Sequence, residues 1–268
     1  MSPTLAADLA AVAFGAEPGR WPLPPATDPD QLWLRAVAAG GQGRYAIARN
    51  CTAEVIRRAP RGRLGSLALS TQASFLRQLG WHRVARGWDG RAYACAGADP
   101  EAGVDALIGL SADALGVGRL ATSDALLHRA ADLLAGADSP PPRLAIRLAW
   151  VRAELAMAGG DGPAAVRHAR AGVELAESAL PALRRHRVKS DVVLAAALCS
   201  AGDRAAARAL ADTVLADTER HGLIPLRWAL SCLLADIGSR ARRPADIEAI
   251  RDRSAAFVVR HGGRWNSR

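Results

Sequence analysis

Aromatic residues are scarce in this chain, and the residues that favour strands are thinly spread. Only 4% of the 268 residues are aromatic, whereas 50% are hydrophobic, with alanine prominent among them. Because alanine has the highest helix propensity and lets helix backbones approach closely, this composition favours helices packed at short range. Few segments are rich in Val, Ile, Thr or Tyr, so we expect no sheet and predict an all-α fold.

Cysteines and long apolar runs are also rare. Cys51, Cys95, Cys199 and Cys232 lie far apart, form no C-x-x-C pair and each fall within a helical pattern. This spacing argues against a disulfide framework and a zinc site, and it is typical of a reducing cytoplasm. No apolar run approaches the ~18 residues that a membrane span needs, and no basic segment precedes the first apolar stretch. We therefore expect a cytoplasmic protein without a signal peptide or a membrane partner.

Sequence signatures of catalysis and cofactor binding are missing as well. The chain has no phosphate loop, no H-E-x-x-H, no G-x-S-x-G and no dinucleotide fingerprint. The six histidines are scattered, although His82 and Asp89 lie close to two helical turns apart, which would permit a relay. We expect no catalytic residue, metal or cofactor. An enzyme that uses His82 is the least favoured of three functional hypotheses.

Positive charge is carried almost entirely by arginine, since Lys189 is the only lysine. The net charge is +9 and the sequence pI is about 10.7. A basic chain permits nucleic acid or acidic partners, yet Asp and Glu are interspersed through most of this one. The run from Arg184 to Lys189 is the best candidate for phosphate contacts. A surface loop with solvated charge is the alternative for that run.

Capping residues and prolines divide the chain into segments. Ser2 before Pro3 predicts the start of a short N-terminal helix, and five prolines in 17–29 predict a stiff, extended linker. Asp28 followed by Pro29, with Gln31 in a capping box, predicts the start of the next helix.

These signals give three parts. Residues 1–27 form an N-terminal helix and a Pro-rich arm, and residues 28–260 form one helical domain. Residues 261–268 form a tail that we expect to fray.

A glycine recurs along the helical domain at intervals of 37, 38, 42, 42 and 36 residues. The six glycines are Gly43, Gly80, Gly118, Gly160, Gly202 and Gly238. The residues five positions after them are Ala48, Ala85, Ser123, Ala165, Ala207 and Arg243. A small residue at this position lets the second helix of a pair pack close to the first, and only Arg243 departs from that pattern.

The segment from Gly43 to Ala48, followed by Pro60, resembles the tetratricopeptide family of helical repeats, as does the segment from Gly202 to Ala207. The resemblance covers residues 28–260. It implies an α-solenoid of about six antiparallel helix pairs, a right-handed superhelix used by bacterial adaptors and regulators. It also implies that the first helix of each pair lines a concave groove for a peptide or partner helix. The repeat period drifts, and the usual large aromatic is missing from several pairs.

One stretch, from Ser66 to Ala94, concentrates Ser, Thr, Arg, His and Trp. Its first helix places Ser70, Ser74 and Arg77 on one polar face, which is typical of a groove that holds a polar chain. The predicted partner-binding residues are Ser70, Ser74, Arg77, Trp81, His82, Arg83, Arg86, Arg147 and Arg227. An ordinary solvated helix face is the alternative, with Trp81 as a packing residue.

The function predicted from these residues is non-enzymatic protein–protein binding by an adaptor or regulatory protein. Arginine makes bidentate bonds to carboxylates, so an acidic or C-terminal segment is the expected ligand. Arg77→Glu should then weaken capture of the partner without lowering the melting temperature. Nucleic-acid binding by the Arg-rich surface is the alternative, and the oligomeric state is not predicted.

Overall fold

The computed structural model describes residues 3–266, and these residues form thirteen α-helices and no strand. The all-α prediction is therefore confirmed for this part of the chain. The helices are α1 (Pro3–Ala13), α2 (Pro29–Gly41), α3 (Tyr45–Arg58), α4 (Gly62–Gln78), α5 (His82–Cys95), α6 (Pro100–Gly116), α7 (Leu120–Ala135), α8 (Pro142–Ala158), α9 (Gly162–Ser178), α10 (Arg184–Ser200), α11 (Arg204–Arg220), α12 (Ile224–Ile237) and α13 (Pro244–Arg260). The predicted cap at Ser2 and the last two tail residues lie outside the described residues.

The helices pack in consecutive pairs, from α2 with α3 to α12 with α13. In addition, each even-numbered helix from α2 to α10 contacts the next even-numbered helix. The even-numbered helices therefore form a continuous inner layer, and their odd-numbered partners cover it from outside. This pairing is compatible with a helical repeat. None of the described helices is both long and apolar enough to cross a membrane.

The predicted start of α2 is confirmed, and only one bond of its capping box is shifted. The Asp28 carboxylate accepts a hydrogen bond from the backbone N–H of Gln31 at 2.8 Å. The Gln31 side chain reaches back one residue further than in a standard capping box and accepts from the N–H of Thr27 at 3.0 Å. Asp99 caps α6 in the same way, with 2.8 Å from its carboxylate to the N–H of Ala102.

All six repeat glycines lie in the turn between the two helices of a pair, with φ between +77° and +88°. Residues with a side chain rarely adopt this left-handed backbone conformation, which explains the recurrence of glycine. The five small residues that follow these glycines are all completely buried. The sixth position, Arg243, is exposed because α13 begins six residues after Gly238, whereas the other second helices begin two residues after their glycine. Ile247 fills the equivalent place in α13 and is 1% exposed.

The described part of the C-terminal tail, residues 261–266, forms a strap across the first two helix pairs. The N–H of Ala46 donates to the His261 carbonyl at 2.8 Å, and the N–H of Asn266 donates to the Leu79 carbonyl at 2.9 Å. The Trp81 indole N–H donates to the Arg264 carbonyl at 2.7 Å. These bonds join the last pair to the first two, which differs from the frayed end that the sequence predicts.

The N-terminal arm, residues 14–27, makes a second connection between helices that are far apart in the chain. The Gln42 side-chain amide donates to the carbonyls of Pro18 and Arg20 at 2.9 and 3.0 Å. At the start of α10, the N–H of Arg184 donates to the carbonyl of Gly15 in the arm at 3.3 Å. The arm therefore bridges α2 and α10, which are far apart in sequence.

Together, the strap and the arm close the array of pairs on itself. The accessible surface is 12025 Å². A compact monomer of 28.1 kDa is expected to expose about 11,100 Å², so the closed array has little more surface than a compact protein of its mass.

Two glycines allow a matched test of the turn conformation. Gly160 has φ +78° and open space around its Cα, whereas Gly87 lies inside α5, equally unobstructed, with helical geometry. We expect Gly160→Ala to lower the free energy of unfolding by about 1–2 kcal/mol, because the left-handed backbone conformation is unfavourable for alanine. Gly87→Ala should raise it by about 0.4–1 kcal/mol. Urea unfolding measures both, and equal effects of the two substitutions would contradict the assigned turn.

A cavity lined by six inner helices

The inner layer surrounds a cavity of about 590 Å³. All six even-numbered helices from α2 to α12 contribute to its lining. Among the described residues, Phe14 from the arm and His82 from α5 are the two lining residues that come from elsewhere. This volume falls within the range of ~300–1,000 Å³ that is usual for ligand sites.

Much of the lining is apolar and aromatic. Trp150 of α8 stacks on His186 of α10, with ring centroids 5.4 Å apart and planes inclined by 21°. The Trp150 indole N–H donates to the Ser190 hydroxyl at 2.8 Å, and that hydroxyl donates to the Gly172 carbonyl at 2.9 Å. These bonds fix the orientation of Trp150. The other aromatic lining residues are Phe14, Trp33, Phe75 and Trp228.

Arg77 holds together three helices beside the cavity. Its guanidinium donates to the carboxylates of Asp89 in α5 and Asp113 in α6, each at 2.8 Å, and to the Gly109 carbonyl at 3.0 Å. Both carboxylates are completely buried. A Cβ at Gly109 would lie 2.3 Å from the Asp89 carboxylate, so only glycine leaves room for this cluster.

Burial raises the pKa of Asp89 to about 7, because the carboxylate has lost its water. Arg77 opposes this rise by favouring the charged form, whereas the nearby Asp113 carboxylate adds to it. His82 lies at the edge of the same cluster, with its Nδ1 3.7 Å from the Asp113 carboxylate. The ring and the carboxylate are thus near each other but beyond hydrogen-bond distance.

A second charge cluster joins α6 to α8. The Arg143 guanidinium donates to Glu101 at 2.8 Å and to Asp105 at 3.1 Å. Arg147 forms an ion pair with Asp105 from the other side. Burial, followed by the nearby charge of Arg77, lowers the pKa of Arg147 to about 10, so it remains charged at neutral pH.

The first turn of α10 adds positive charge without matching carboxylates. In the described residues no carboxylate forms an ion pair with Arg185, whose guanidinium donates to the Val37 carbonyl at 3.4 Å. Burial and then the charge of Arg143 lower the pKa of Arg185 to about 10. The pKa of His186 lies well below its usual value because of burial and the neighbouring arginines, so this ring is neutral. Lys189 lies 3.9 Å from Glu154.

The structure brings together five of the nine predicted partner-binding residues. The cavity lining includes Ser70, Ser74, Arg77, His82 and Arg147. Outside it lie Trp81, Arg83, Arg86 and Arg227. Trp81 packs against the core beside the strap, and Arg227 pairs with Glu219 at 3.0 Å. Arg83 and Arg86 are exposed on α5, and binding of a partner by any of the nine stays a prediction.

Four polar or aromatic residues are notable among the lining residues that were not in the predicted partner-binding set. They are Arg143, Trp150, Arg185 and Lys189. A helical signal for them exists, because Arg143, Arg147, Trp150 and Glu154 recur at intervals of four, three and four residues on α8. Arg185, Lys189, Val192 and Ala196 repeat the same intervals on α10. Two cations of the basic run from Arg184 to Lys189, Arg185 and Lys189, thus line the cavity.

Metal binding finds no support in the described part of the chain. No group of three or more His, Cys, Asp or Glu side chains there is arranged to hold a metal ion. The four cysteines are all unbonded to one another.

The Arg77 cluster changes the expected effect of substituting this residue. We expect Arg77→Met to lower the free energy of unfolding by about 3–5 kcal/mol, because it leaves two buried carboxylates without their cation. Replacing Asp89 and Asp113 by asparagine in the same chain should recover much of that loss. Urea unfolding compares the three proteins, and an unchanged stability of Arg77→Met would show that the cluster is not structural.

The raised pKa of Asp89 also predicts a pH dependence. Folded Asp89 binds a proton up to about pH 7, whereas the carboxyl of the unfolded chain releases it near its ordinary value of 3.8. Between these values the folded state holds more protons, so this residue's contribution to stability falls as the pH rises. We expect the free energy of unfolding of wild type to fall relative to that of Asp89→Asn between pH 4 and pH 7. A difference that is constant over this range would contradict the assignment.

No known protein-family model matches the chain, and no curated protein has a significantly similar sequence. The cavity and its two charge clusters are therefore the observations from which a function is inferred.

Proposed function

We propose that this protein is a non-enzymatic adaptor or regulator of the tetratricopeptide-like helical-repeat type, from a bacterium. Its cavity binds a short acidic or C-terminal segment of a partner protein. The observation that carries this proposal is the lining itself, since six inner helices line one cavity and five of them contribute aromatic or cationic side chains to it. Sites of this composition bind ligands that combine an apolar body with few charges.

The cavity volume favours an extended segment over a partner helix. A helix with its side chains is about 10 Å wide and rises 5.4 Å per turn. A cylinder of that width would fill 590 Å³ within roughly one and a half turns. A short extended segment uses the same space more completely and presents its terminal carboxylate to the arginines.

Nucleic-acid binding is the alternative function, and the distribution of charge weighs against it. Several exposed arginines are already paired with carboxylates, such as Arg57 and Arg58 with Glu54 and Arg243 with Asp246. Four cations of α8 and α10 instead line a cavity too small for a duplex, whose major groove alone is about 12 Å wide. They are Arg143, Arg147, Arg185 and Lys189.

The free cysteines are compatible with a reducing compartment, and we place the protein in the cytoplasm.

A matched pair of alanines tests the cavity as the binding site. Ala196 of α10 lines the cavity, whereas Ala205 of α11 is exposed on the outer layer. Peptides with free C-termini would be selected from a random pool on wild type and then measured by calorimetry. We expect Ala196→Trp to abolish binding by filling the cavity, and Ala205→Trp to bind as wild type does.

Two outcomes would contradict the proposal. Selection of no peptide at all would remove the adaptor function, and equal binding by both tryptophan variants would place the site elsewhere. Labelled single-stranded RNA serves as the probe for the alternative. RNA binding that survives Ala196→Trp and falls steeply with salt would favour nucleic acid, because phosphate contacts release counterions.

A further inference from the structure

We propose that the cavity ligand carries one carboxylate, held by Arg185, on an apolar and partly aromatic body that rests against Trp150 and His186. This inference names the ligand class of the same cavity and rests on the proposal that the cavity binds a ligand. It comes from the pairing of charges around the cavity, from the start of α10 and from the aromatic lining.

One of the five cations around the cavity, Arg185, has no carboxylate beside it among the described residues. Arg77 is held by two carboxylates, Arg143 and Arg147 share Glu101 and Asp105, and Lys189 has Glu154 nearby. Arg185 lines the cavity with a backbone carbonyl as its hydrogen-bond partner and with no ion pair to any described carboxylate. A bound ligand with a single negative charge would therefore complete the pairing.

The start of α10 adds to the attraction for an anion. A helix N-terminus carries partial positive charge and exposes unpaired N–H groups. α10 has Leu183 at its cap position, with no side-chain cap and no acidic residue in its first turn, and its first N–H, that of Arg184, donates to the Gly15 carbonyl of the arm. Its first four residues are instead Arg184, Arg185, His186 and Arg187. Positive side chains at this end are unfavourable unless an anion is close.

The number of unpaired charges favours a carboxylate over a phosphate. A phosphate group carries about −1.5 to −2 charges near neutral pH and would need a second cation without a partner. A guanidinium, in contrast, matches a carboxylate through two parallel N–H donors. Arg185 alone is thus sufficient for a carboxylate and insufficient for a phosphate dianion.

The lining next to Arg185 determines the rest of the ligand. His186 follows it in sequence, stacks on Trp150 and has the Phe14 ring at a centroid distance of 6.0 Å. Trp33 and Val37 continue the apolar wall on α2. An aromatic or branched apolar body can contact these surfaces while its carboxylate reaches Arg185. The C-terminal residue of a peptide and a free organic acid both have this chemistry.

Three small probes and two neighbouring arginines test the inference. N-acetyltryptophan carries the carboxylate, N-acetyltryptophanamide lacks it, and indole-3-propionate carries it without the peptide amide. Arg185→Gln removes the proposed contact, and Arg184→Gln is the control, because Arg184 is exposed and outside the lining. Calorimetry at fixed pH and salt measures each combination.

We expect wild type and Arg184→Gln to bind the acid roughly 10- to 100-fold more tightly than the amide, as a hydrogen-bonded ion pair would give. Arg185→Gln should lose this preference. If that variant does not fold, Arg185→Lys should retain a preference that is severalfold smaller, because lysine keeps the charge without the two parallel donors. Indole-3-propionate binding as tightly as N-acetyltryptophan identifies a free acid as the source, and weaker binding identifies a peptide terminus.

Equal affinity of wild type for acid and amide would overturn this inference and leave the cavity as a binding site. Selected peptides that bind through the cavity while none of the three probes does would overturn it as well. An acid preference that Arg185→Gln and Arg184→Gln reduce equally would show that the net charge of the region, and not Arg185, is responsible. Failure of the proposed function is distinguishable, because then neither probes nor selected peptides respond to Ala196→Trp.

Discussion

The attachment of the C-terminal strap to the first two helix pairs is the constraint on which the rest of the structure depends. Residues 261–266 form hydrogen bonds with Ala46 and Arg49 of α3 and with the turn from Leu79 to Trp81. Trp265 of the strap also packs against Trp228 of α12, with ring centroids 4.2 Å apart and planes inclined by 32°. Val258 of α13 and Ile224 of α12 also pack in the same core cluster as Tyr45 of α3. With these contacts, the inner layer closes around a limited volume, and the arm completes the closure between α2 and α10.

Closure explains the unusual density of paired charge inside the molecule. Side chains that would face water in an open groove are partly desolvated here, and a desolvated charge needs a partner. The clusters around Arg77 and Arg143 provide such partners and also join α4, α5, α6 and α8. Arg185 is the exception, and an exception of this kind is informative because its surroundings are otherwise well compensated.

Local features of the fold could be predicted from the sequence, because their causes lie within a few residues. The Asp28 cap and the six turn glycines depend on backbone geometry that neighbouring residues determine. The departure at Arg243 also has a local cause, since a longer turn after Gly238 shifts the buried position to Ile247. The prediction of helices in consecutive pairs follows from the same signals.

Contacts between distant residues could not be predicted in this way. Nothing near His261 indicates that it meets Ala46, because the periodicity of one helix carries no information about another. For the same reason, Arg77 was predicted as a contact for a partner, although its guanidinium is occupied by Asp89 and Asp113. The helical face on which Arg77 lies could be predicted, whereas its contacts with carboxylates of α5 and α6 could not. The inward direction of Arg185 likewise depends on how α10 packs.

Small-angle X-ray scattering of the full chain in solution tests the closed arrangement most directly. A compact domain of 268 residues is expected to have a radius of gyration of about 18 Å. We expect the radius of a single chain to be close to this value, with a maximum dimension that does not change with salt. A clearly larger radius with an elongated distance distribution would mean that the strap does not hold the first pairs in solution. The cavity would then be an open groove, and the pairing of charges inferred from its closure would no longer apply.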